Sequence, residues 1–166
     1  MTGTKLQGNL AEEHFVSLVQ SLGLSVKKSS RSEDMRQHID FWVLSRDEWL
    51  SVDVKARKRL QRASTVLSDD LLFIEFKNVR GDPGWLYGQA NIIAFEQVDG
   101  FILVNRVDLL DLAETKIMND YAKSPSLYRL YRRFDRPDES VGLIRSNDLF
   151  LIPFQQLRDK GYNATK

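Results

Sequence analysis

The chain has no cysteine among its 166 residues, which excludes disulfide cross-links, thiol nucleophiles and thiolate-bound zinc. Histidine is scarce too: His14 and His38 are its whole complement, which disfavours an imidazole-built metal centre and leaves oxygen as the expected ligand of any metal. No run approaches the roughly 18 apolar residues of a membrane span. Residues 1–10 lack the apolar core of a signal peptide, so no membrane association is expected and the cytoplasm is the expected compartment. A dominant charge is also missing: 24 Lys and Arg stand against 23 Asp and Glu, so no whole-molecule field attracts a polyanion and any basic surface must be local. Length and ordinary composition favour one domain over 1–166, with 105–166 as a C-terminal elaboration.

What is present is a sequence of alternating periods. Ala11, Phe15, Leu18, Val19 and Leu22 recur at helical spacing between a capping Asn9 and a terminating Gly23, which predicts an amphipathic helix over 9–22. A short strand over 24–28 and a polar loop over 29–37 come next. Two strand-like runs, 39–44 and 49–57, flank the charged turn Ser45-Arg46-Asp47-Glu48 and predict an antiparallel hairpin. A further strand is expected over 71–78, a turn at Gly81-Asp82-Pro83-Gly84, a helix over 85–93, a buried strand over 101–104 and a helix over 107–118. Residues 121–134 are aromatic and basic, Arg136-Pro137-Asp138 breaks them, and 149–154 has strand character before a short terminal helix. The expected fold class is α/β: a central mixed sheet of four or five strands, with the first helix on one face and the 85–93 helix on another.

The chemistry concentrates in the hairpin. Asp40 interrupts an otherwise apolar strand, where an ionised carboxylate costs several kcal/mol or more unless a cation or hydrogen bonds accompany it. On the next run, period two sends Val52, Val54 and Ala56 to one face and Asp53 and Lys55 together to the other. Pairing about the turn lets Asp40 and Asp53 converge, a donor pair suited to Mg²⁺, with Lys55 beside the metal-bound water. Hydrolysis of a phosphodiester needs an activated water, stabilised charge on the phosphate and a protonated leaving oxygen, and two carboxylates, one metal and one ammonium supply the first two. Glu12 shares the inward helix face with Phe15, Val16 and Val19, whereas Glu13 turns toward solvent. The same acidic-x-Lys pattern at Glu75-Phe76-Lys77 and Glu114-Thr115-Lys116 leaves a plain amphipathic strand as the alternative for Asp53 and Lys55.

In these residues the chain resembles the PD-(D/E)XK nuclease superfamily, which includes Holliday junction resolvases, restriction endonucleases and RecB-like nucleases. The match runs over roughly residues 8–104. Gly8 to Glu12 resembles the family's first helix, His38-Ile39-Asp40 its acidic motif and Asp53-Val54-Lys55 its acidic-x-Lys; His38 and Ile39 stand where the name-giving motif has proline. The resemblance implies a restriction-endonuclease-like fold and cleavage of DNA, endonucleolytic by preference, with Mg²⁺ that Mn²⁺ replaces. It implies Asp40, Asp53 and the Val54 carbonyl as ligands, Glu12 as a ligand through water, and Lys55 as the residue that orients or deprotonates the attacking water. Glu75 and Lys77 form a second possible motif, with Glu75 on a strand neighbouring the site, and Gln89 is a possible match to the glutamine of RecB-like members.

For substrate contacts, Arg57, Lys58, Arg59 and Arg62 come after Lys55, and Arg129, Arg132 and Arg133 interleave with tyrosines; both clusters suit backbone phosphates. The glycine-rich run 81–88 lacks the Gly-Lys-Ser/Thr ending of a P-loop, so no nucleotide cofactor is expected. DNA is the expected partner, together with a possible homodimer. The rival reading is a noncatalytic nucleic-acid-binding or assembly protein in which Asp53 and Lys55 form only a salt bridge.

Overall fold

The stripe Ala11, Phe15, Val19 is almost completely buried, and it is the surface on which the first sheet packs. The computed structural model describes residues 3–58 and 68–164. Its helices are α1 (Gly3–Ser21), α2 (Arg31–Gln37), α3 (Arg106–Lys116) and α4 (Phe154–Asp159). Its strands are β1 (Val26–Lys28), β2 (Phe41–Ser45), β3 (Glu48–Lys55), β4 (Leu71–Lys77), β5 (Ile92–Gln97), β6 (Gly100–Asn105), β7 (Met118–Ala122), β8 (Arg129–Tyr131) and β9 (Ser140–Arg145). The chain divides into two compact units: Met1–Arg57 with Gln89–Arg106 and Phe150–Lys166, and Lys58–Gly88 with Val107–Leu149. Among the described residues, no helix is long and apolar enough to cross a membrane.

The first unit holds a five-stranded sheet in the order β1-β2-β3-β5-β6. All its pairings are antiparallel except β3 with β5. Register is fixed by burial, because a one-residue slip would turn every apolar side chain to the wrong face. Phe41 faces Val52 and Val43 faces Leu50 across the hairpin. These residues, with Val54, Ile92, Ala94, Phe101 and Leu103, form one core with the α1 stripe. Phe15 sits edge-on to Phe101 at 5.3 Å and stacks on Phe41 at 5.8 Å. Each such side chain contributes about 1.5–3 kcal/mol on burial. The C-terminal segment closes this core: Ile152 bridges to Leu103 and Leu157 of α4 is buried in the cluster. Ser45 donates its hydroxyl to the Leu157 carbonyl at 2.8 Å.

The second unit holds a four-stranded mixed sheet in the order β4-β9-β8-β7, in which β7 and β8 are parallel. Leu72, Ile74, Leu109, Ala113, Leu143 and Ile144 are buried within this unit. Gly84 donates its N–H to the Phe76 carbonyl at 2.8 Å. A Cβ there would lie 2.4 Å from the Glu75 carbonyl oxygen, so only glycine permits the approach that seats the following 3₁₀ turn, Trp85–Tyr87.

The class and the five-stranded mixed sheet agree with the sequence expectation, as do the first helix, the hairpin and α3. Four local expectations are corrected. Residues 85–93 are not a helix but a single 3₁₀ turn leading into β5, where Ile92 to Phe95 are buried in succession, the pattern of a strand covered on both faces. The polar stretch 29–37 contains α2, opened by a reciprocal Ser30–Glu33 capping box. The run 71–78 does form β4, but it pairs with β9 in the second sheet and is no neighbour of β3. Residues 149–154 form no strand: Ile152 makes an isolated bridge and Phe154 opens α4.

Gly84→Ala forces a methyl group into the Glu75 backbone and is expected to cost about 1–3 kcal/mol, read as a lowered thermal midpoint. An unchanged midpoint would show that the strand can yield there.

Candidate functional site

Period two along β3 sends Val52 and Val54 into the α1 core and turns Asp53 and Lys55 to the opposite face. Asp53 is buried, 3 % exposed. Lys55 Nζ lies 3.1 Å from Asp53 Oδ1, and its side chain keeps 22 % of its surface in solvent. One carboxylate is therefore held inside the protein with an ammonium at its mouth.

Asp40 immediately precedes β2, and continuation of the Phe41–Val52 register brings it beside Asp53. Its backbone N–H donates to the Val52 carbonyl at 2.8 Å, and its own carbonyl accepts from Ser29 at 2.9 Å. Its Oδ2 accepts the Val54 N–H at 2.7 Å, which fixes the carboxylate and the Val54 peptide against each other. Burial pushes the Asp53 carboxyl well above the ordinary range; Lys55 opposes this, and the neighbouring Asp40 carboxylate raises it further. Asp53 Oδ2 is buried with no hydrogen-bond partner among the described residues. Two ionised carboxylates cannot donate to one another, so that oxygen needs a shared proton or a cation.

Two further acids reach the same place. Glu12, on the sheet-facing side of α1, is raised first by burial and then by Asp40, while Lys28 opposes with its Nζ 3.3 Å from Oε1. Asp34, in the first turn of α2, is raised by burial and then by Asp40, with Lys28 and Lys55 opposing. Although α2 buries no residue, it is held by its cap and by the Trp42 indole, which donates to Glu33 at 3.1 Å. The result is four carboxylates against two ammonium groups, all within the first unit.

This donor set fits a hard divalent cation: oxygen ligands only, excess negative charge and one buried oxygen without a partner. Among the described residues no group of three or more Asp, Glu or His encloses an ion by itself. Mg²⁺ characteristically takes one or two carboxylates and completes its shell with water and substrate phosphate, so an open pair is an adequate seat.

Asp40, Asp53, Lys55 and Glu12 are thus brought together by the fold, with the Val54 peptide between the first two. Gln89 is exposed and lies in the turn before β5, not on a helix; its N–H donates to the Gln37 carbonyl at 2.9 Å. Glu75 and Lys77 belong to the second sheet, with a bulge between them that breaks their alternation, so the alternative that brought Glu75 in on a neighbouring strand is corrected: β4 is not part of the first sheet. Arg57, partly buried, donates its N–H to Glu96 Oε1 at 3.3 Å, and Lys58 is exposed. Arg59 and Arg62 lie outside the described residues. In the second unit Arg129 pairs with Asp120 at 2.8 Å, Arg132 stacks over Tyr121 at 3.9 Å and Arg133 is half-buried. Asp34 and Lys28 are the contributors that sequence reasoning missed. Reading Ser30-x-x-Glu33 as a capping box would have started a helix and placed Asp34 in its first turn.

No protein-family model matches the chain, and no curated protein matches it. The chain is similar to the structure of a bacterial homing endonuclease, I-Ssp6803I, at 17 % identity and a TM-score of 0.45, over 67 % of this chain and 70 % of that one. Function is therefore read from the side chains of the site.

A carboxyl whose folded pKa is raised stabilises the fold below its ordinary range and loses that contribution as pH rises through the folded value. Asp53→Asn removes this loss. Its thermal midpoint is expected to exceed that of the natural protein at about pH 8 and to converge with it toward about pH 4, each unit of elevation corresponding to about 1.4 kcal/mol. A lower midpoint across the whole range would contradict the burial of an ionised Asp53.

Proposed function

We propose that this chain is a divalent-metal-dependent nuclease that hydrolyses phosphodiester bonds in DNA, endonucleolytically, on a site of PD-(D/E)XK type. The observation that carries the reading is the convergence of Asp40, at the approach to β2, and Asp53 of the antiparallel β3, with Lys55 Nζ 3.1 Å from Asp53. Mg²⁺, or Mn²⁺ in its place, would be held by Asp40 and Asp53, with the Val54 carbonyl and, through water, Glu12 as further donors. Such an ion supplies Lewis acidity: it polarises the phosphate and lowers the pKa of coordinated water.

The chain's own residues do the remaining work. Backbone hydrogen bonds hold Asp40, so its carboxylate is positioned before substrate arrives, which limits the reorganisation needed in the transition state. Lys55 is steered by Asp53 and presents its ammonium where water and a phosphate oxygen would lie; it orients the attacking water and offsets charge as the P–O bond to water forms and the leaving P–O bond breaks. Glu12 and Asp34 add negative charge around Asp40, favouring cation entry. Arg57 and Lys58, just beyond the end of β3, would meet the phosphate backbone.

The engaged state of Lys55, already paired with Asp53, favours one rival: a noncatalytic DNA-binding protein in which the pair is merely structural. Lys55→Ala separates the two. Incubated with Mg²⁺ and a panel of linear, supercoiled and branched DNA, the natural protein is expected to cleave. The variant is expected to lose roughly 10²–10⁴-fold in rate while folding and DNA binding persist. No cleavage of any substrate by the natural protein, with DNA binding retained, would favour the rival.

A further inference from the structure

The second unit contains a cavity of about 660 Å³, a volume typical of sites for small organic ligands. Its walls include Phe76, Tyr87, Tyr121 and Ile117, and its polar edge includes Lys77 and Glu114. The aromatic rings are fixed. Phe76 and Tyr87 lie 6.4 Å apart, Tyr87 donates its hydroxyl to Glu114 at 3.2 Å, and Arg132 covers one face of Tyr121 at 3.9 Å. Yet Tyr87 and Tyr121 each leave 41 % of their surface exposed, so flat aromatic area stands ready for a partner.

The loop bearing Arg132, Arg133 and Arg136 is tied to this cavity at both ends. Arg132 stacks on the Tyr121 wall, and Asp138 stands beside Gly81, another lining residue, where an added Cβ would come within 3.5 Å of it. Between them Phe134 is completely exposed, 103 % of its reference surface. A single exposed ring is ordinary on a protein surface, but an exposed phenylalanine set among arginines has the composition of a wedge for stacked bases. Lys77, exposed at the cavity, has no acidic partner among the described residues, and an anion seated there would be welcome.

We propose that this cavity accepts one unstacked nucleobase of a DNA strand, with Phe134 occupying the gap the base leaves and Lys77 and Arg132 meeting the flanking phosphates. Aromatic walls stack on any base, and the Glu114 carboxylate accepts hydrogen bonds from ring or exocyclic N–H groups. The inference rests on the reading of the chain as a protein that acts on DNA, but requires neither metal nor cleavage.

The test is therefore binding in EDTA. A labelled single-stranded oligonucleotide is compared by fluorescence anisotropy with an abasic strand of the same length and phosphate count. The base-bearing strand is expected to bind about tenfold tighter or more, and Tyr87→Leu and Tyr121→Leu are expected to abolish that preference, whereas Tyr87→Phe keeps it. Should a leucine variant fail to fold, Phe134→Ser, at a fully exposed position, serves in its place and is expected to reduce the preference at least threefold. Equal binding of the two strands, or an undiminished preference in folded Tyr and Phe134 variants, overturns the proposal. Failure of the nuclease reading shows separately, as absent cleavage with Mg²⁺ while base-dependent binding persists.

Discussion

Burial of the Asp53 carboxyl beside Asp40 is the constraint on which the site depends. A carboxylate taken out of water next to another must protonate, separate or share a cation, and the hairpin register forbids separation. That register is held by an unrelated force, the burial of Phe41, Val43, Val52 and Val54 beneath α1. A slip that relieved the acids would expose those side chains. Hydrophobic packing on one face of the sheet thus sustains electrostatic strain on the other, which is how folded proteins hold functional groups in states that stability alone would not select.

Around that pair the other charges are graded by distance from solvent. Lys55 caps Asp53 from the open side, Lys28 attends Glu12, and Asp34 leans in from a helix with no buried residue. With all four carboxyl groups ionised, as ion binding would leave them, the two ammonium groups offset only part of the negative charge, and the remainder matches the charge of one divalent ion. Acids near Asp40 come from α1, α2 and β3, so ion binding would join these elements at the approach to β2.

Much of this was legible in the sequence, because it depends on short-range periodicity. Alternation alone placed Asp53 and Lys55 opposite Val52 and Val54, and helical spacing alone set Glu12 apart from Glu13. What escaped was decided at long range or by polar detail. β4 has a convincing strand sequence, but its partner β9 lies far along the chain, so its membership of the second sheet was hidden. Ile92 and Ile93 fit a helix face as well as a buried strand, and only pairing with β3 and β6 decides between them. α2 has no apolar stripe at all; its signal was the capping box, and missing it concealed Asp34.

The central claim is that Asp40 and Asp53 together seat a divalent ion in exchange for a proton. Calorimetric titration of Mn²⁺ in two buffers of different ionisation enthalpy reads both quantities at once. The account predicts saturable binding with proton release, since the raised Asp53 carboxyl gives up its proton to the ion, and loss of both in Asp40→Asn. Absence of saturable binding, or equal binding in that variant, would contradict it.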